Sequence, residues 1–225
     1  MGNIWYLSPS NQGANRGVGD YGTEKEQMNL LVDEIIPHLD RAGVSFHRAD
    51  ADLGLTERAK EANEMKARFY LALHSNAGGN GNARGPEAYY YSDAGKQFGE
   101  KLVSALLALG QENQRSNNVK QNKTFYELKA TNAVACLLEV DFHDSLSGVE
   151  FMTGRRSEIA EAIARVIIET DGKEFVPATK GEYIDRAIKL GLFERSTNWN
   201  AALSKEEAAV VLMRLLDAIR KGVNV

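Results

Sequence analysis

The chain has 225 residues, enough for one good-sized domain with a small appendage. Its 43% hydrophobic and 26% charged residues are those of an ordinary globular protein, not of a disordered or fibrous one. A net charge of -4 with scattered basic residues excludes a global field for nucleic acid or anionic membrane, and a lone Cys136 excludes an internal disulfide and a multi-cysteine zinc knuckle.

The start, MGNIWYLSPSNQG, has no charged segment leading into an apolar one, so no signal peptide is read there and the chain is expected to be made in the cytoplasm. No apolar run approaches the roughly 18 residues of a membrane span, so membrane insertion is not expected. IWYL (4–7) is a first strand. The connection Ser8 to Thr23 that follows is rich in Ser, Asn and Gly and long for a plain turn, which marks a functional or disordered segment. From Glu24 to Arg41 apolar residues recur at helical spacing, with Thr23 and Glu26 placed as a capping box and Gly43 as a stop. Pro37 is expected to bend or end this helix.

A strand at 44–46, a helix at 55–65, a strand at 69–73, a strand at 87–91 and a helix from about Asp93 to Leu109 follow. After a polar loop, 111–123, comes the most apolar strand, AVACLLEV (133–140), and a helix from about Ser157 to Glu169 closes the unit. Cys136 inside that strand reads as a buried, inert thiol. Alternating strands and helices predict an α/β domain: an open twisted, mostly parallel sheet flanked by helices, over residues 1–170. TDGKEFVPATK (170–180) reads as a linker, and 181–225 as a small α-helical C-terminal domain whose second helix starts at a Ser204 cap with Glu207 in the box position. At roughly 45 residues such a piece barely buries a core of its own, so it is expected to dock on the first domain or to dimerise.

Three residues stand out chemically. His74 ends the apolar run FYLAL (69–73), just before a glycine-rich loop, where an open α/β sheet places ligands and catalytic groups; taken alone it is equally a histidine that satisfies a core hydrogen bond. Glu139 ends the apolar strand 133–140, where a carboxylate is expensive unless paired or metal-bound, and where burial raises its pKa toward that of a general base; the alternative is a glutamate pointing out of an edge strand. Glu24 opens a helix behind a long polar loop, a place where the helix dipole favours acids whatever their role. His38 reads as a surface residue near a helix end, and His47 as either core or rim.

LALHSNA (71–77) and LLEVDFHDS (137–145), supported by TEKEQMN (23–29), DLGLTERAKEAN (52–63) and RGPEAYYY (84–91), resemble the zinc-dependent N-acetylmuramoyl-L-alanine amidases of the amidase-3 type, from about Ile4 to Thr170. The resemblance implies Zn2+ held by Glu24 and His74, with Glu139 as catalytic carboxylate. It implies cleavage of the amide between N-acetylmuramic acid and the L-alanine of the peptidoglycan stem. The family's first strand ends in Asp-Pro-Gly-His-Gly, whose histidine is a ligand; here LSPSNQG (7–13) has none, which leaves a neutral amide oxygen, Gln12 ahead of Asn11, as a weaker third ligand, with His143 as a substitute from the neighbouring strand end. A binding protein that kept the fold and lost the metal is the alternative. The loop SNAGGNGNARG (75–85) and the segment TFYELKATNA (124–133) are groove candidates, with Asn76, Arg84 and Tyr126 as substrate-binding residues; the loop is otherwise a plain flexible connection. Without a signal peptide, the resemblance points to a phage-type endolysin or a mother-cell lysin that reaches the wall after release. Residues 191–216 resemble half of an S-layer-homology repeat, so 181–225 is expected either to bind the wall or to pair two chains through its helices.

Overall fold

The computed structural model describes residues 3–179 except Gly79, together with Glu182 and Ile188. The chain divides into two units, Met1–Val176 and Pro177–Val225. Almost all of the second, with the expected Ser204 cap and the aromatics Tyr183, Phe193 and Trp199, lies outside the described residues.

The first unit is an α/β domain with one six-stranded sheet. Its elements in chain order are β1 (Ile4–Pro9), α1 (Glu24–Arg41), β2 (Ser45–Arg48), α2 (Leu55–Glu64), β3 (Phe69–Asn76), β4 (Glu87–Tyr90), α3 (Asp93–Ala108), β5 (Val119–Gln121), α4 (Tyr126–Ala130), β6 (Val134–Phe142), α5 (Leu146–Gly154) and α6 (Arg156–Thr170). The spatial order is β2-β1-β3-β6-β4-β5. β2, β1, β3 and β6 run parallel, while β4 lies antiparallel to β6 and parallel to β5, so the sheet is mixed at one edge.

Period-two alternation along the strands sorts the side chains into two cores. Leu7, Leu71, Leu73 and Leu138 face α1, α3 and α6, joining Leu31, Ile35, Leu102, Ile163 and Ile167 in the larger core. Tyr6, Tyr70, Ala72 and Leu137 face the other way, onto a smaller core with Ala62 of α2 and Leu128 of α4. Continuing the same alternation puts Ser8, His74 and Glu139 on the smaller side, at the carboxyl ends of three adjacent strands. Cys136 is fully buried, and burial pushes its thiol up to about 12, which leaves it inert.

Several elements differ from expectation. Pro37 lies within α1 without ending it: a proline removes one backbone donor, and the buried Ile35 and Leu39 hold the last turn onto the core. The Thr23–Glu26 capping box forms as expected. β3 and β6 run past the predicted ends, so His74 stands within its strand rather than beyond it, and Glu139 stands three residues before the end of its own. β5, α4 and α5 were not legible. β5 is a three-residue polar edge strand, and α4 has only five residues. α5 carries Gly148, where a Cβ would stand 2.3 Å from the carbonyl oxygen of Phe142, so a helix-weakening glycine is required by close backbone approach.

Arg84, expected to touch substrate, is 4% exposed and lies against Asp141, itself fully buried, at 3.1 Å. Asp141 also accepts from the backbone N–H of Gly85 and from the Gln111 side chain, so this pair ties the loop after β3 to β6. Removing one member leaves the other charged and unpaired inside the protein. Arg84→Met is therefore expected to lower stability by about 3–5 kcal/mol, read as a fall in the urea midpoint at unchanged slope; an unaltered midpoint contradicts it.

Candidate active site

β3 and β6 pair in parallel with His74 directly beside Glu139, and α1 brings Glu24 over the strand ends from its first turn. His74 Nδ1 lies 2.7 Å from Glu24 Oε1. The long connection after β1 does not wander: its Asn15 carbonyl accepts from the Glu24 N–H, the Asn15 side chain donates to both Glu24 and Gln12 at 2.7 Å, and Gln12 reaches the same His74 Nδ1 at 3.3 Å. His74, Glu24 and Gln12, far apart in the chain, thus share one point. Glu24 is 1% exposed and His74 5%.

The electrostatics follow from this crowding. Burial alone would lower the His74 pKa, but the nearby Glu127 carboxylate, the hydrogen bond to Glu24 and the nearby Glu139 raise it to about 10 in the metal-free protein. Burial raises the Glu24 carboxyl, yet the bonds from His74 and Asn15 hold it below the usual carboxylate range. Glu139 goes the other way: burial, reinforced by the charges of Glu24 and Glu87 and only partly opposed by His74, lifts it to about 7. Its Oε2 is buried and has no hydrogen-bond partner. An unpartnered carboxylate oxygen with a pKa near neutrality is able to take up and release a proton at working pH.

Two further carboxylates belong to this neighbourhood and were not singled out from the sequence. Glu127, on α4, is 3% exposed, with Oε2 3.6 Å from His74 Nε2. Glu87 lies directly opposite Glu139 in the β4–β6 register, 1% exposed, with Arg115 and Lys120 each at 2.7 Å. A glutamate beginning a short tyrosine-rich strand and another in a five-residue helix carry no periodic signal of burial.

The remaining expectations are placed as follows. Asn76, at the end of β3, donates to Glu87 at 3.2 Å and so stands at the site's edge. Tyr126 is exposed at the start of α4 and lines a shallow groove with Thr56, Ala59, Lys60 and Asn63 of α2. Asn11 donates to the carbonyl of Leu53, so its amide is engaged away from His74. His143 is buried on Ser75, 2.9 Å from its Oγ, and stacks on Tyr21, and Ser75 in turn accepts from the Tyr21 hydroxyl. That arrangement does not make it a substitute partner for His74. His38 packs on Phe175, and His47 pairs with Glu61 at the rim.

Among the described residues no three His, Cys, Asp or Glu side chains are grouped as a metal site. The donors that do converge are one imidazole nitrogen, one carboxylate and one amide. His74 Nδ1 faces a carboxylate that asks it to donate and the Gln12 amide, whose NH2 is turned toward it while its oxygen accepts from Asn15. A divalent cation such as zinc would find two strong donors here, Nδ1 and Glu24 Oε1, and a weak third in the Gln12 oxygen once that amide turned away from Asn15.

An open α/β sheet that carries an imidazole among buried carboxylates at the ends of its central strands is a catalytic scaffold for acid–base chemistry. Over residues 7–169 the chain matches the family Amidase_3, N-acetylmuramoyl-L-alanine amidase, and it belongs to that family. It is 25% identical over 169 residues to the N-acetylmuramoyl-L-alanine amidase CwlM of Bacillus licheniformis, covering 71% of this chain and 64% of that protein, so the match spans just under two thirds of the relative's length. It is 23% identical over 224 residues to the sporulation-specific N-acetylmuramoyl-L-alanine amidase of Bacillus subtilis, covering 93% and 84%. The fold matches the catalytic domain of CwlV from Bacillus (Paenibacillus) polymyxa (TM-score 0.67, 20% identity, 77% of this chain and 100% of that one) and AmiC2 of Nostoc punctiforme (TM-score 0.66, 22% identity, 75% and 96%). Among the described residues no helix is long and apolar enough to cross a membrane.

Proposed function

We propose that this chain hydrolyses the amide bond between N-acetylmuramic acid and L-alanine in bacterial peptidoglycan, with Glu139 as general base and general acid. The observation that carries this is the buried, unpartnered Glu139 Oε2 on the strand position next to His74. His74 and Glu24, with Gln12, would hold zinc. When bound, that ion polarises the scissile carbonyl and lowers the pKa of the attacking water. Glu139 accepts the water's proton, and, held near neutrality by its burial, returns it to the departing amine of L-alanine. Asn76 and Tyr126 are proposed as substrate-binding residues. Likeness to a sporulation-specific relative supports action on the wall from the mother cell over a phage setting, with lysis as the outcome. Residues 181–225 are proposed to bind the wall or pair two chains.

Purified protein on isolated cell walls is expected to release new L-alanine amino ends without new reducing sugars. Reducing sugars without amino ends would rule out an amidase. A second reading, binding without hydrolysis, is favoured because among the described residues no three His, Cys, Asp or Glu side chains are grouped to hold a metal ion. Wall binding with no amino ends released and no zinc in metal analysis would establish it.

A further inference from the structure

The proton transfer proposed for Glu139 gives no role to the buried carboxylate of Glu127. Its Oε1 accepts from the Ser8 hydroxyl and the Tyr70 hydroxyl, both at 2.5 Å. Ser8 is held in turn by the buried Arg58, whose Nη1 donates to Ser8 Oγ at 3.0 Å. Both donors lie on Oε1, so the carboxylate is fixed with Oε2 toward His74. Oε2 stands 3.6 Å from Nε2 of His74, a buried ring nitrogen with no hydrogen-bond partner. On the far side of the same ring, Nδ1 meets Glu24 at 2.7 Å. The imidazole therefore sits between two buried carboxylates, one on each nitrogen.

We propose that Glu127 is a positioning residue that draws the His74 proton to Nε2 and keeps the Nδ1 lone pair turned toward Glu24 and Gln12. This rests on the zinc reading of that site. An ionised carboxylate only accepts, so the nitrogen facing it must donate, and a neutral imidazole with its proton on Nε2 has its free lone pair on Nδ1. A carboxylate behind a ligating imidazole also makes that imidazole a stronger donor. That gain offsets a ligand set whose third member is a neutral amide. The gap of 3.6 Å is wider than a hydrogen bond; contacts of this kind tighten when the site is loaded.

Glu127→Gln tests this without changing shape. The Ser8 and Tyr70 hydroxyls hold the amide oxygen on their side, which turns the amide NH2 toward Nε2. His74 then has to accept there and carry its proton on Nδ1, where zinc would bind. In the full chain, competition with a chelating dye is expected to show zinc bound about 10–100-fold more weakly by Glu127→Gln than by wild type. The 15N shifts of His74 in the zinc-loaded proteins are expected to show an Nε2–H ring in wild type and a perturbed one in the variant. Glu127→Asp, which keeps the charge one methylene further back, is expected to fall between the two; a mere space-filling role predicts the isosteric Gln above Asp. Zinc affinity for Glu127→Gln within about two-fold of wild type, with unchanged shifts, overturns the proposal. If the Gln variant does not fold, the zinc-loaded Asp variant decides by both readouts: weakened zinc with perturbed His74 15N shifts supports the proposal, and unchanged shifts overturn it. If wild type itself binds no zinc, the reading of the site fails. The positioning role is then judged from the His74 15N shifts of the metal-free proteins, supported if Glu127→Gln loses the Nε2 proton and overturned if its shifts match wild type.

Discussion

Glu139→Ala is expected to lower wall hydrolysis by about a hundred- to ten-thousand-fold, the range for loss of a general acid–base group. His74, Glu24 and Gln12 remain in that variant, so zinc content is expected to stay at the wild-type level while release of amino ends collapses. Substantial release by the variant would remove Glu139 from the chemistry. The same group sets a pH signature. The base form is needed for attack, and the metal-free carboxyl sits at about 7, so activity is expected to fall as pH drops below that value, with a bound cation moving the midpoint lower. Stability should move oppositely. The folded pKa of about 7 exceeds the ordinary 4.5, so the charged form is disfavoured in the folded state. Glu139 therefore costs nothing below the ordinary value and increasingly destabilises the metal-free fold as pH rises toward 7. Glu139→Gln, measured after chelation, is accordingly expected to melt higher than wild type above that range and alike below it. A lower melting temperature at neutral pH would show that Glu139 is not held against its preference.

Removing zinc is expected to reduce hydrolysis to background, and adding zinc back to restore it. The reason is chemical: an amide carbonyl and a water near neutral pH react immeasurably slowly unless both are activated, which a bound zinc ion would do. With one imidazole, one carboxylate and one amide as ligands, zinc is expected to be stripped more readily than from a site with three strong donors. Gln12→His supplies the missing imidazole at a side chain already 3.3 Å from His74 Nδ1, and is expected to slow zinc loss to a chelator. Hydrolysis that survives exhaustive chelation would sink the metal-assisted mechanism, and a faster loss from Gln12→His would show that residue 12 is not at the ligand point.

Much of this site was legible because it interrupts strong patterns. His74 and Glu139 break apolar runs of strand composition, and Thr23 with Glu26 announces the helix that carries Glu24. Gln12 was reached only through a family pattern that lacks its histidine here. Glu127 was not legible. A carboxylate in TFYELKATNA looks like any solvated glutamate until α4 folds it under the sheet, where Tyr70 of β3 and Ser8 of β1 supply donors. Arg84 misled for the complementary reason: an arginine in a glycine- and asparagine-rich loop reads as a substrate contact, and only the fold reveals Asp141 beneath it.

By itself the sequence determined the α/β class, most strands and helices, and two of the polar residues placed at strand ends, because periodicity and capping are local and survive translation into three dimensions. Tertiary structure alone decided which carboxylate lies on which nitrogen of His74, which arginine is buried, and that β4 runs against β6. Those outcomes depend on strand order and register, which bring together residues more than a hundred positions apart, such as Ser8 and Glu127, and no local pattern encodes such a distance.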